Sequence, residues 1–508
     1  MNKIVRTLIL VAALSLASCG GRSGGLNKLL HSQSEMERNY PDFQADIVSD
    51  SLRMFLTDSA FVDTTSSYVA AVDSFYRLNH YQPIWIKNIF EDTRLDTLLS
   101  HIQRVPNHGL NPEYFEQTTI TNLLDSLKTG FTNKGMADIY SSFRQLEYLL
   151  TKAYISYATG LKYGFLSPKK TFPNDYFITI QSPDSAHYAG LFAAADAPGA
   201  YLAKIQPTDT DYIKLQALLK QYDSLPDSLV SDSIATNYKT VQANLERYRW
   251  KRTTPPSEKY IWVNVAAMNL QAIEPGYEPV TMNVCVGKAT TNQTPLLESE
   301  LYYMNLNPTW SVPASIIEKE VYWAYRKDST YLTKQRMKIL KGTEELNPDS
   351  IDWKKINPKH FPYSIRQDSG NDNSLGRIKF MFQNPFSVYL HDTPSKRRFL
   401  MKDRAVSHGC VRVQNPMDLA YFCLSTKDSV YFDRLRTTIE LPPVSKEGKR
   451  LQRQEKLEPL KNDIVFLTHK IPLTIDYRTI YTLPDGTIQF AEDIYGFDAK
   501  IRKALRLD

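Results

Sequence analysis

Two residues nineteen positions apart carry the side chains for nucleophilic chemistry. They are His391, in FSVYLHDTP, and Cys410, in VSHGCVRVQNP. A cysteine with an ordinary pKa of about 8.5 is only a few per cent thiolate at neutral pH. An adjoining imidazole acting as general base and a cationic setting make such a thiol reactive. The pair therefore suits acyl transfer through sulfur. His391, His408 and Cys410 are also zinc-ligand types. The chain has no CxxC or HExxH, however, and His360 is the only other histidine near them. No metal, nucleotide or haem cofactor is expected.

The elements that must position this pair follow from the flanking text. FSVYLHDTP reads as a strand with Ser387, Tyr389 and His391 on one face and Phe386, Val388 and Leu390 on the other. Asp392-Thr393-Pro394 turns the chain. A loop containing Lys396, Arg397, Arg398, Lys402 and Arg404 then leads to Ser407-His408-Gly409-Cys410. Gly409 tolerates positive φ and lets a substrate backbone approach the nucleophile. Val411 and Val413 alternate with Arg412, which points to the same side as Cys410. Asn415-Pro416-Met417-Asp418 then opens a helix. The thiol is thus held between a strand and a helix start.

Compartment sharpens the question of why an unpaired thiol is kept. The chain opens MNKIVRTLILVAALSLASCGG, with Lys3 and Arg6 ahead of an apolar run from Leu8 to Ala17. That run is shorter than the ~20 residues needed to span a bilayer and suits a secretory leader. Leu16-Ala17-Ser18-Cys19 resembles a bacterial lipobox, so Cys19 is the expected lipidation site. Residues 1–19 then form the signal peptide and 20–50, opening with GGRSGG, a tether. Beyond Cys19 remain Cys285, Cys410 and Cys423, an odd number that leaves one without an intrachain partner. Cys285 and Cys423 sit in apolar runs and read as small buried hydrophobes; Cys410 does not. The net charge of +6 over 508 residues shows no nucleic-acid footprint, and KEGKRLQRQEK (446–456) mixes signs.

Residues 51–252 read as a helical scaffold domain. In residues 139–164, Phe143, Leu146, Leu149, Leu150 and Tyr154 fall at helical spacing, and Gly164 and Pro168 end the run. At Thr253-Thr254-Pro255-Pro256 the period changes to two. KYIWVNVAAMNLQAI and VTMNVCVGK alternate around EPGYEP, which is hairpin grammar. A mainly-β domain is expected over 256–480, interrupted at 314–375 by a charged, partly helical insertion (IIEKEVYWAYRK, KQRMKILKG) lying over the sheet. Residues 481–508 form a short helical tail packing on either domain. The fold class is α+β.

HDTPSKRRF followed by SHGCVRV resembles the active-site signature of the bacterial L,D-transpeptidases, the YkuD-like cysteine enzymes of peptidoglycan cross-linking. KYIWVNVAAMNLQ, TMNVCVGK, LNPTWSVPASI, LGRIKFMFQNPFSVYLHDTP and EDIYGFD continue the likeness. YQPIWI, GLNPEYF and NLERYRW resemble the helical scaffold of the large, multi-domain branch. One departure is clear: between Leu218 and Leu245 there is too little chain for the peptidoglycan-binding module common in that branch. Wall affinity would rest on the groove and the lipid anchor.

The resemblance implies a particular reaction. Cys410 attacks the carbonyl before the terminal D-Ala of a stem tetrapeptide, D-Ala leaves, and the thioester passes to the side-chain amine of a second stem, giving a 3→3 cross-link. His391 moves the protons, oriented by the backbone carbonyl of Asp392 rather than its carboxylate. Backbone N–H groups at Gly409 and Cys410 form the oxyanion hole, helped by the Tyr389 hydroxyl. His408 and Ser407 hold the loop or share in the chemistry. Arg412 holds the loop or a substrate carboxylate, and Trp310 walls the groove. The 314–375 insertion is the lid that excludes water. The partners implied are peptidoglycan stem peptides and a membrane, and the place implied is the periplasm-facing envelope of a Gram-negative-type cell. A carbapenem should acylate Cys410. Hydrolysis of the same acyl-enzyme (an L,D-carboxypeptidase) and exchange of D-amino acids are alternatives, as is a non-catalytic wall-binding lipoprotein.

Overall fold

The computed structural model describes residues 42, 44–57, 67–86, 93–128, 135–253, 257–483 and 485–508. The signal segment and Cys19 lie outside them. The chain forms two compact units. One holds the residues up to Arg104, Phe115–Ala158 and Asp184–Ile205; the other holds Val105–Tyr114, Thr159–Pro183 and Gln206–Asp508. The first unit thus ends at Ile205, short of the expected boundary at 252, and a helix opens at Ala45, within the expected tether. Helix Ala45–Thr57 buries Val48, Leu52 and Leu56 at i, i+4, i+8 spacing.

The first unit is helical. Residues Phe143, Leu146, Leu149, Leu150 and Tyr154 of helix Met136–Tyr163 are all buried. Among them sits a fully buried carboxylate, Glu147. It accepts the backbone N–H groups of Ile84, Trp85 and Ile86 at 2.7, 3.0 and 3.0 Å and the Tyr76 hydroxyl at 2.7 Å. The irregular YQPIWI segment has no ladder partner there, so the carboxylate satisfies its donors. Glu147→Ala should orphan all three N–H groups at about 1–3 kcal/mol each. The expected result is a loss of at least ~3 kcal/mol in denaturant unfolding, with Glu147→Gln milder because one acceptor oxygen remains.

The second unit is built on a sheet. Its strands open with β1 (Tyr260–Asn264), β2 (Asn269–Ile273), β3 (Val280–Gly287) and β4 (Leu297–Leu306). β5 (Trp310–Ser311) leads into the insertion, which contributes β6 (Met337–Lys341), β7 (Glu344–Leu346) and β8 (Ser364–Gln367). The chain returns with β9 (Ile378–Phe382), β10 (Leu390–His391), β11 (Ala405–Ser407), β12 (Val411–Val413) and β13 (Ile464–Asp476). The hairpin β14 (Ile480–Thr482) and β15 (Ile488–Phe490) and helix Phe497–Ala504 close it. The order is β11-β3-β12-β10-β9-β4-β13-β1-β2, and an added β2–β3 pairing closes the sheet on itself. Side chains alternate across it. Leu390 pairs with Phe380 and Val411, all fully buried, while His391 pairs with Lys379 on β9 and Arg412 on β12.

Four expectations need correction. First, FSVYL is not a strand before Leu390. The Asn384 side chain accepts from the N–H of Phe386 and Val388 at 3.1 and 3.0 Å, and Ser387 has φ 56°. Asn-Pro turn chemistry outweighs the period-2 pattern. Second, KQRMKILKG is not helical throughout: Met337 and Ile339 alternate inward as β6, and Gly342 (φ 65°) turns it into β7. Third, the insertion therefore forms a separate sheet with β5, in the order β5-β8-β6-β7, over a core including Ile316, Val321, Tyr322, Trp353 and Ile365. Fourth, residues 232–249, assigned to the scaffold, belong with the sheet, and the tail begins as a hairpin. Asn244 donates to Thr479 Oγ1 at 2.6 Å and Arg247 to Asp498 at 2.5 Å, tying helix Asp232–Arg249 to the C-terminal segment.

Candidate active site

One cavity of about 330 Å³ is bordered on the sheet side by Trp310, Tyr389, His391, Ser407, His408, Cys410 and Arg412, and by Glu320, Val321 and Tyr331 of the insertion. Parallel pairing of β10 with β12 brings these residues together. Val411 N–H donates to the Tyr389 carbonyl at 3.1 Å, and His391 lies opposite Arg412. Since 389 and 391 alternate with Leu390, and 410 and 412 with Val411, all four project from one face. Phe386 and Val388, expected on the opposite face, line the same cavity through the Asn384 loop.

His391 is buried, and its Nδ1 bonds to the Asp392 backbone carbonyl at 2.5 Å. A carbonyl only accepts, so in the neutral ring Nδ1 carries the hydrogen and Nε2 the lone pair, with the Leu375 carbonyl also acting on the ring. The Asp392 carboxylate is occupied elsewhere, by Arg377 N–H (2.8 Å), Thr393 N–H (2.7 Å) and Lys396 Nζ (2.6 Å). Burial, with the Arg412 and Lys379 cations adding to it, drives the His391 pKa down to about 3, against the pull of the Asp392 and Leu375 carbonyls.

Burial also pushes the Cys410 thiol up, although Tyr389, Lys379 and Arg412 all favour the thiolate. The expected cationic activation of the resting thiol is thus outweighed by desolvation. The pair rests as neutral thiol and neutral imidazole, with Sγ 3.9 Å from the Ser387 carbonyl. Around the sulfur, the Tyr389 hydroxyl and backbone N–H favour negative charge on Cys410, and the Trp310 side chain acts in turn on that hydroxyl.

The loop carrying the thiol is held from below. Gly409 has φ 108°, a conformation that strains any side-chain-bearing residue. Ser407 Oγ donates to the Cys410 carbonyl at 2.5 Å and accepts the Gly409 N–H at 3.1 Å. That N–H, expected in the oxyanion hole, is therefore engaged within the loop, and the donors turned to sulfur come from Tyr389. The Gly409 carbonyl accepts Thr294 Oγ1 at 2.9 Å, and Thr294 N–H donates to the Tyr495 hydroxyl at 3.1 Å. Tyr495 of EDIYGFD is thus tied to the Cys410 loop through Thr294. His408 Nε2 bonds to Glu320 Oε1 of the insertion at 2.6 Å.

Sequence reasoning passed over Lys379, Glu320, Thr294 and Tyr495. Alternation in GRIKFMF already placed Lys379 on the polar face opposite Ile378 and Phe380; nothing local marks Glu320 or Thr294, whose partners lie far along the chain. Among the described residues, no group of three or more His, Cys, Asp or Glu side chains is placed to hold a metal ion.

Two stretches of the chain match known families. Residues 70–219 match the family model of a scaffold domain, and residues 258–432 match that of the L,D-transpeptidase catalytic domain, YkuD. Over 254 residues the chain is 30% identical to a Haemophilus influenzae protein provisionally named an L,D-transpeptidase, an overlap of 50% of this chain and 47% of that one. The chain thus spans about half the length of that curated relative. With a cysteine and a histidine facing one lidded cavity inside the matched segment, the chain carries a YkuD-family L,D-transpeptidase catalytic domain, preceded by a scaffold domain.

Proposed function

We propose that the protein is a peptidoglycan L,D-transpeptidase that forms 3→3 cross-links through a thioester on Cys410. The observation that carries this reading is the shared cavity, in which the base of β10 and the nucleophile before β12 project from one sheet face beneath the insertion. In the first half-reaction Sγ bonds to the carbonyl carbon preceding the terminal D-Ala of a stem tetrapeptide while its proton passes to His391 Nε2. Collapse of the tetrahedral adduct breaks the C–N bond. His391 returns the proton to the departing amine, and D-Ala leaves. In the second, the side-chain amine of another stem attacks the thioester, His391 takes its proton, the C–S bond breaks and the sulfur is reprotonated. Tyr389 N–H and O–H stabilise negative charge beside the sulfur. The insertion excludes water, the competing acceptor.

Cys19, outside the described residues, would anchor the chain by lipid on the periplasmic side of the envelope; no described helix is long and apolar enough to cross a membrane. The test is product analysis by mass spectrometry after mixing the purified protein with disaccharide-tetrapeptide. Cross-linked dimers with one D-Ala released per link are expected. Tripeptide without dimer makes the enzyme a carboxypeptidase. Absence of D-Ala release together with absence of a carbapenem adduct on Cys410 overturns the enzyme reading.

A further inference from the structure

The sheet register sets three residues of one face in a row across β9, β10 and β12: Lys379, His391 and Arg412. The two outer members are cations. Among the described residues, neither makes a salt bridge or a side-chain hydrogen bond, and Arg412 Nε is buried without a partner. Lys379 is half-buried, with its ammonium 3.8 Å from the centroid of the Tyr389 ring, the ring whose hydroxyl faces Cys410. A ring face offsets part of the cost of desolvating an ammonium but does not neutralise it. The one carboxylate that acts on Arg412 from the insertion, Glu320, spends its hydrogen bond on His408. Arg412 borders the cavity and Lys379 lies against Tyr389, which also borders it; each side chain is only partly buried, so both cations are open to an anion, and partial desolvation strengthens the attraction.

We propose that Lys379 and Arg412 form a two-cation subsite for a carboxylate of the acyl donor, flanking the nucleophile. The inference rests on the transpeptidase reading, in which the residue leaving from Cys410 carries a free α-carboxylate. Lys379 is then a specificity determinant of the donor. The subsite also bears on the thiol's inertness at rest. With both cations uncompensated, a proton on the intervening imidazole is disfavoured; an arriving carboxylate removes that penalty as the substrate docks.

The test pairs two donors with two proteins. The donors are a stem tetrapeptide ending in free D-Ala and the same peptide ending in D-alaninamide; the proteins are the full chain and its Lys379→Met variant, with Lys379→Arg as the charge-conserving control. For the unsubstituted protein, kcat/KM for the carboxylate donor should exceed that for the amide on the order of 30-fold, the worth of a charge-assisted contact. Lys379→Met should lose most of that ratio, whatever change in rate the two donors share through Cys410 and His391, while Lys379→Arg should keep it. An equal fall for both donors in Lys379→Met overturns the subsite, as does an unsubstituted protein that does not distinguish them. If no donor is turned over, the transpeptidase reading fails, and calorimetric binding of the two peptides to the Cys410→Ala protein decides the subsite by itself. Tighter binding of the carboxylate form, lost in the added Lys379→Met, supports it; equal or absent binding overturns it.

Discussion

Cys410→Ala is expected to lower D-Ala release from a tetrapeptide donor by four orders of magnitude or more, on the order of what removing a covalent nucleophile costs other acyl-transfer enzymes. The side chain lost is small, and the loop bonds around it run through other atoms. Ser407 Oγ holds the Cys410 backbone carbonyl, and Thr294 holds that of Gly409. The variant should therefore unfold within ~0.5 kcal/mol of the parent, as substitutions that open no core cavity usually do. Activity retained in Cys410→Ala would remove the mechanism altogether. Loss of activity accompanied by a collapsed melting transition would show a structural role instead.

His391→Ala should cost about 10²- to 10⁴-fold at neutral pH, the usual worth of a general base, and the pH dependence should separate base catalysis from simple packing. The sign follows from the directions of the two shifts. A histidine titrating normally, near ~6.5, would lose activity as pH falls through that value. His391 is held down to about 3 and so stays unprotonated far below it. For the parent enzyme, kcat/KM, which reports free-enzyme groups, should be flat between roughly pH 5 and 8. In His391→Ala only thiolate can attack, and burial holds the Cys410 thiol above its ordinary range. The residual rate should climb about tenfold per pH unit through that interval. A parent profile with an acid limb near 6.5 would show that the imidazole is not desolvated in the working enzyme.

Much of the site was legible along the chain because the residues that define it lie within one short span. His391, Cys410, Ser407, His408, Gly409 and Arg412 fall inside 391–412, and the Asp392 carbonyl is bound to the ring of its own neighbour. The helical stripe at Phe143–Tyr154 was equally local. Period and spacing failed where a side chain overrode them. Asn384 captures two backbone N–H groups and bends 386–388 out of the strand, turning Phe386 and Val388 into cavity wall. In the insertion, KQRMKILKG carries charges at spacings compatible with either period, and pairing with β7 and β8 decides for strand.

By itself the sequence singled out the residues proposed to react, because chemistry belongs to residue types and a Ser-His-Gly-Cys run needs no partner to be recognised. It also determined that a β domain follows a helical one, because the hydrophobic period changes at residue 253. Only the tertiary structure decided the electrostatic state of the pair. Whether Cys410 rests as thiol or thiolate depends on desolvation, which is set by everything packed around the sulfur rather than by its neighbours in the chain. Sheet register likewise set Lys379, thirty-one positions before Cys410, beside His391. The folding of the insertion brought Glu320 to His408. A strand's local pattern states which face a residue takes, and only its pairing states what stands opposite.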